Sequence, residues 1–386
     1  LNKEIVSAYA IGFGGVAEAI AKMSFGNRIG YELELSEQDL FSYSYGSILV
    51  ESTEKLDFGE YLGQTSDKCI INDNALSMDD LYRANTLKYT SVYKDRTDTQ
   101  GTLHIRKPEP MKFKYDNGPK IPTVYIPDFP GTNSNYDTVK AFERVGAKVT
   151  TSVFENLTGS QVLSSIDNMA KMIRECDIFV LSGGLSAGDE PDGSAKYICN
   201  VLTATKVSDE INGLIKRKGL ILGICNGFQA LIKTGLLPYS ELGHITIDSP
   251  IIFRNDINRH CSQMVTTRVS STNSPWLKSF KLGETFVIPV SHGEGKLVVS
   301  GEIAKDLFEN GQVAFQYADD AGNPTMASPM NPNGSCFAIE GMVSKDGLIL
   351  GKMGHSERYE DNLYKNIYGN RRQDIFKNAM GYFQNN

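Results

Sequence analysis

"GLILGICNGFQALIKTG", Gly219 to Gly235, is the stretch on which the fold turns. Leu220 to Ile224 is an unbroken apolar run, Cys225 stands at its end, and a helix is expected from about Asn226 to Thr234. A short strand apolar on both faces is the mark of a parallel sheet covered by helices on both sides. The same texture recurs upstream. "TVYIP" (Thr123–Pro127), "KVTTSVF" (Lys148–Phe154) and "DIFVL" (Asp177–Leu181) read as strands. Between the first two, Val139, Phe142 and Val145 line one helical face, and Gly146 suits its C-terminal cap. Val162, Ile166, Met169 and Ile173 mark the next helix. Residues 121–386 are therefore expected to form an α/β domain with a mostly parallel sheet, whose sites gather at the carboxyl ends of the strands.

The stretch from Tyr89 to Lys120 is polar, without period and broken by Pro and Gly, so residues 89–120 are expected to be a linker. Residues 1–88 form a separate block. In "GFGGVAEAIAKMSFGN" (Gly12–Asn27), Val16, Ala19, Ile20 and Met23 share a helical face, and "YSYGSILVES" (Tyr43–Ser52) is strand-like. The chain has 386 residues, a length suited to roughly two to three domains. Its net charge of −7 gives no support to nucleic-acid or anionic-membrane binding. No run is long enough to span a bilayer. The six cysteines are scattered without a C-x-x-C pair, which suits a reducing cytoplasm and neither a zinc finger nor a disulfide scaffold.

A cysteine at a strand end is most simply a buried apolar side chain. Three features argue for more. Gly223 and Gly227 flank Cys225 at i−2 and i+2, the arrangement of a nucleophile elbow. The chain must turn sharply there. The helix that follows aims its N-terminal N–H groups at the sulfur and favours a thiolate. Such a nucleophile needs a base and an oxyanion hole. Of the five histidines, His104 lies in the expected linker, and His244 and His260 lack a nearby downstream acid. His292 with Glu294 in "SHGEG" and His355 with Glu357 in "GHSER" each form H-x-E, whose i,i+2 spacing puts both side chains on one side of an extended segment. Spacing does not choose between them, although "GLILGKM" before His355 reads as a strand ending in the same sense as that of Cys225. In "LSGGLSAGD", Gly183 and Gly184 sit just past a buried strand, where backbone N–H groups can approach a ligand.

Taken in order, "FPGTNSNYD", "LSGGLSAGDE", "GICNGFQAL", "SHGEG", "NPNGS" and "GHSERYE" resemble the glutaminase domain of the phosphoribosylformylglycinamidine synthase family, within the class I, triad-type glutamine amidotransferases. That resemblance implies a flavodoxin-like fold for residues 121–386. It implies Cys225 as nucleophile, His355 and Glu357 as the other triad members, and donors near Gly183, Gly184 and Asn226 for the oxyanion. Gln229 would help hold glutamine, and His292 with Glu294 would form a pocket loop. Family members usually carry proline where Ser356 stands, so a less rigid turn is expected here. Residues 1–88 resemble the last subdomain of the synthetase region in the large single-chain enzyme. There Gly12-Phe13-Gly14-Gly15 replaces an acidic S-D-G-G, so the block is expected to be degenerate, and the chain to be the C-terminal part of a longer protein. The resemblance further implies a cytoplasmic enzyme that hydrolyses glutamine to supply ammonia for purine biosynthesis. Its partners would be the remaining synthetase domains and the acceptor formylglycinamide ribonucleotide. No metal or cofactor is expected in this chain, with ATP and Mg acting in the other domains. Two other readings stay open: a Cys-elbow amidase without an ammonia acceptor, and a non-enzymatic docking module.

Overall fold

The computed structural model describes residues 5–90, 109–186 and 195–384. The chain divides into two compact units, 1–95 and 96–386. Most of the segment read as a linker, residues 91–108 with His104, lies outside the described residues. Among the described residues no helix is long and apolar enough to cross a membrane.

In the first unit the helix Gly15–Phe25 buries Val16 and Ala19, while Ile20 is partly buried against the neighbouring small core. Strand Ile5–Ala10 pairs antiparallel with Ile48–Ser52, the strand expected within Tyr43–Ser52. A separate four-stranded sheet runs Gly63–Ser66, Gly30–Leu33, Cys69–Ile71, Asn74–Leu76.

The second unit is built on one nine-stranded sheet. In space it runs Thr285–His292, Cys261–Val269, Val313–Tyr317, Ile339–Val343, Ile349–Lys352, Leu220–Ile224, Ile178–Leu181, Thr123–Asp128, Lys148–Val153. The last five strands are mutually parallel, as the apolar runs of the inner ones predict. The first four add an antiparallel wing joined to them through Ile349–Lys352. Helices Asn135–Arg144 and Gly159–Glu175 follow the two outer parallel strands. Thr158 and Gln161 form a capping box at the start of the second, which satisfies two of its otherwise orphaned N–H groups.

Residues 109–120 pack onto this unit. Tyr115 is buried in its core, the Met111 N–H donates to Asn273 Oδ1 at 3.1 Å, and the Lys120 N–H donates to Phe383 O at 2.9 Å.

Candidate active site

Three adjacent parallel strands deliver the candidate residues at their carboxyl ends. Ile178–Leu181 runs into Gly183 and Gly184, Leu220–Ile224 into Cys225, and Ile349–Lys352 into His355 and Glu357. Cys225 adopts φ 53°, ψ −107°. A non-glycine residue pays for such a conformation in strain, and it persists only where the surroundings impose it. The elbow glycines impose it here. A Cβ on Gly223 would lie 2.6 Å from Gly227 O, and one on Gly227 would run into the Leu181 carbonyl. The helix Asn226–Lys233 therefore lies too close to its own strand at Gly223, and to the neighbouring strand Ile178–Leu181 at Gly227, for a side chain at either position. The Cys225 N–H donates to Lys352 O at 2.8 Å, which ties the strand end of Cys225 to the one leading to His355.

His355 Nδ1 and Glu357 Oε1 are 2.5 Å apart, with both side chains buried. His355 Nε2 is buried without a hydrogen-bond partner among the described residues, and the Cys225 thiol lies close enough to favour a charged ring. The thiol itself is directed at Ser291 O, 3.7 Å away. Burial works against the imidazolium, but Glu357 first and then Cys225 outweigh it and hold His355 up at about 9. Burial likewise pushes the Glu357 carboxyl up. The charge and hydrogen bond of His355 more than reverse this, leaving Glu357 below its ordinary value.

The second H-x-E is built differently. Thr285–His292 belongs to the large sheet, whereas Glu294–Val298 pairs with Ile251–Arg254 in a separate two-stranded sheet. The chain changes sheets between His292 and Glu294, so the side-by-side geometry expected of the i,i+2 spacing is absent there. His292 Nδ1 instead meets Asn255 Oδ1 at 3.1 Å, and Nε2 lies 3.5 Å from Asn333 Nδ2. Burial, then the charges of His355 and His260, hold His292 down at about 3, so it stays neutral.

Gly184, Cys225, Gln229, His292, Glu294 and His355 line one pocket of about 130 Å³. Gly183, Asn226 and Glu357 do not line it. The Gln229 amide bridges the elbow helix to the glycine loop: Asn226 Nδ2 donates to its Oε1 at 2.8 Å, and its Nε2 donates to Glu294 O at 2.5 Å. The Ser356 hydroxyl donates to Gln373 Oε1 at 2.5 Å, both residues buried, a hydrogen bond at the position where relatives of this motif carry proline. The pocket also takes in Asn133, Leu185, His260, Ser291 and Arg358, to which the sequence reading gave no role. Asn133, Leu185, Ser291 and Arg358 fall inside motifs quoted above, which is the available signal. His260 has no acid close downstream in the sequence, yet its Nε2 reaches Ser291 Oγ at 3.0 Å.

Residues 121–385 match the CobB/CobQ-like glutamine amidotransferase domain. The phosphoribosylformylglycinamidine synthase subunit PurQ of Gloeobacter violaceus is 34% identical over 198 residues, covering 51% of this chain and 77% of that protein. The subunit of the same name from Chlorobaculum tepidum is 32% identical over 262 residues, covering 67% of this chain and 98% of that protein. A solved structure of PurLQS from Thermotoga maritima is similar over 68% of this chain and 99% of that one, at 24% identity and a TM-score of 0.49.

Proposed function

The chain belongs to the CobB/CobQ-like glutamine amidotransferase family, and on that premise we propose that it is the glutaminase portion of a phosphoribosylformylglycinamidine synthase. The observation that carries the reading is the buried His355–Glu357 pair set beside an elbow cysteine at one pocket. Cys225, as a thiolate beside the charged His355, attacks the side-chain amide carbon of glutamine. Backbone N–H groups near Gly184 and Asn226 take the charge that develops on the carbonyl oxygen. His355 gives its proton to the leaving nitrogen, so ammonia departs and a γ-glutamyl thioester remains on Cys225. The ring, now neutral, takes a proton from water as it attacks the thioester. The C–S bond breaks, glutamate leaves, and the thiolate–imidazolium pair is restored. Acid–base help of this kind contributes about 10²–10⁴-fold. Glu357 keeps the Nδ1 proton in place and supports the charged ring.

The ammonia would serve ATP- and Mg-dependent conversion of formylglycinamide ribonucleotide to the amidine in synthetase domains, the partners of this chain in a cytoplasmic enzyme. Residues 1–88 are proposed as a degenerate synthetase subdomain. In support, the Gly14 N–H donates to the Glu18 carboxylate at 2.9 Å, so an acidic side chain sits where a phosphate would need to approach the glycines.

The test is glutamine hydrolysis by the purified chain, followed as ammonia and glutamate. Equal release of both, abolished by Cys225→Ala, is expected. Turnover that survives in Cys225→Ala, or simple amides cleaved in preference to glutamine, sinks the reading.

A further inference from the structure

Beneath the site lies an ion pair to which the chemistry above gives no part. Lys352 and Glu340 are each 0% exposed, with Nζ and Oε1 3.1 Å apart, on the antiparallel strands Ile349–Lys352 and Ile339–Val343. Burying two charges is a poor way to stabilise a core. Desolvation offsets most of their attraction, and apolar side chains of similar size serve as well or better. What distinguishes this pair is where its hydrogen bonds go. Lys352 Nζ donates to Gly354 O at 2.7 Å, and Glu340 Oε1 accepts from the Gly354 N–H at 2.6 Å. The two peptide groups flanking Gly354 are thus held by opposite ends of one ion pair, and the next residue is His355.

The surrounding contacts extend the clamp. The Met353 N–H donates to Glu340 O at 3.1 Å, and the His355 N–H to Pro289 O at 2.9 Å. Gly354 fits its cradle without a side chain, since a Cβ there would meet Ile288 and would lie 2.8 Å from Glu340 Oε1. At the other end, Lys352 O takes the Cys225 N–H at 2.8 Å. A single residue therefore holds the backbone of the nucleophile with its carbonyl and the turn before the histidine with its ammonium. Burial pulls the Lys352 ammonium below its ordinary value, and Glu340 works against this. The Phe315 ring, its centre 5.5 Å from Nζ, also favours the cation.

We propose that Lys352 and Glu340 are positioning residues that fix the His355 ring against Cys225 and Glu357. In its kinetic part this inference rests on the glutaminase reading. The test uses the whole chain. K352M/E340L replaces the pair by apolar side chains of similar size. It avoids the lone buried charge that a single substitution leaves, but deprives Gly354 of both partners. K352M/E340Q keeps a neutral acceptor for the Gly354 N–H. Thermal unfolding reports folding, and NMR of histidine-labelled chain, assigned with His355→Ala, follows the His355 titration independently of activity.

In K352M/E340L the His355 titration is expected to fall from about 9 toward its ordinary 6.5. Over the same comparison kcat for glutamine should fall by on the order of 10²-fold, the effect of a displacement near 1 Å, with KM unchanged. K352M/E340Q is expected to lie between that variant and wild type. A wild-type titration and kcat in either folded variant overturns the proposal and leaves the pair as core packing. Failure of the glutaminase reading looks different: wild-type turnover indifferent to His355→Ala, with the titration shift still judging the clamp.

Discussion

Replacing Gly183 with alanine places one methyl group between the side chains of His355 and Cys225. An ideal Cβ at this position lies 2.7 Å from His355 Cε1, 2.8 Å from Ser134 Oγ and 3.3 Å from Cys225 Cβ. Favourable contact between carbon atoms begins at about 3.5 Å. The imidazole must therefore retreat by roughly 0.8 Å, or the thiol-bearing turn must move instead. Neither moves freely, because the ring is buried against Glu357 and the Cys225 backbone is tied to Lys352. The backbone of Gly183 is no obstacle, since its φ is not among the positive ones. Overpacking of this kind costs about 1–3 kcal/mol of stability. Misplacing the acid–base group by close to 1 Å costs on the order of 10²-fold in rate. Gly183→Ala is thus expected to fold, to unfold at a somewhat lower temperature, and to lose far more turnover than stability. Glutamate release at saturating glutamine, measured beside thermal unfolding, checks both. A folded variant with unchanged kcat means the ring has room that the geometry denies it, and the reasoning fails.

His355→Ala is expected to abolish glutamine turnover, whereas His292→Ala retains much of it and raises KM, because His292 is neutral and its nitrogens face Asn255 and Asn333. The reverse ranking at saturating glutamine assigns the base to the wrong histidine. His355 also sets a pH dependence of stability. Its folded value of about 9 lies above its ordinary 6.5, so the folded state binds the proton more tightly than the unfolded one. That contribution is complete below about pH 6.5 and is lost as pH rises through about 9. Glu357→Gln removes the main support of the charged ring, so its urea midpoint should change less with pH across that window than that of wild type. Parallel curves for the two proteins would refute the assignment.

The parallel half of the sheet was legible because its inner strands, Ile178–Leu181 and Leu220–Ile224, are apolar on both faces and the two helices before them have a clear period. The antiparallel wing was not. Cys261–Val269 pairs with both Thr285–His292 and Val313–Tyr317, and nothing local in those strands specifies such distant partners. At the site, Cys225 stood out through Gly223 and Gly227, whose spacing has a direct steric cause. The two H-x-E pairs could not be separated by spacing, because what distinguishes them is the change of sheet between His292 and Glu294. The Ser356–Gln373 hydrogen bond and the Lys352–Glu340 pair join residues that only the fold brings together.

The central claim is that Cys225 is the nucleophile. Its most direct test is intact-mass analysis after brief exposure of the chain to a glutamine-mimicking chloroketone, followed by peptide mapping. The account predicts one adduct per chain, on Cys225, formed fast and suppressed by excess glutamine. Comparable labelling of Cys176, Cys261 or Cys336, or an unmodified Cys225 in a folded chain, contradicts it.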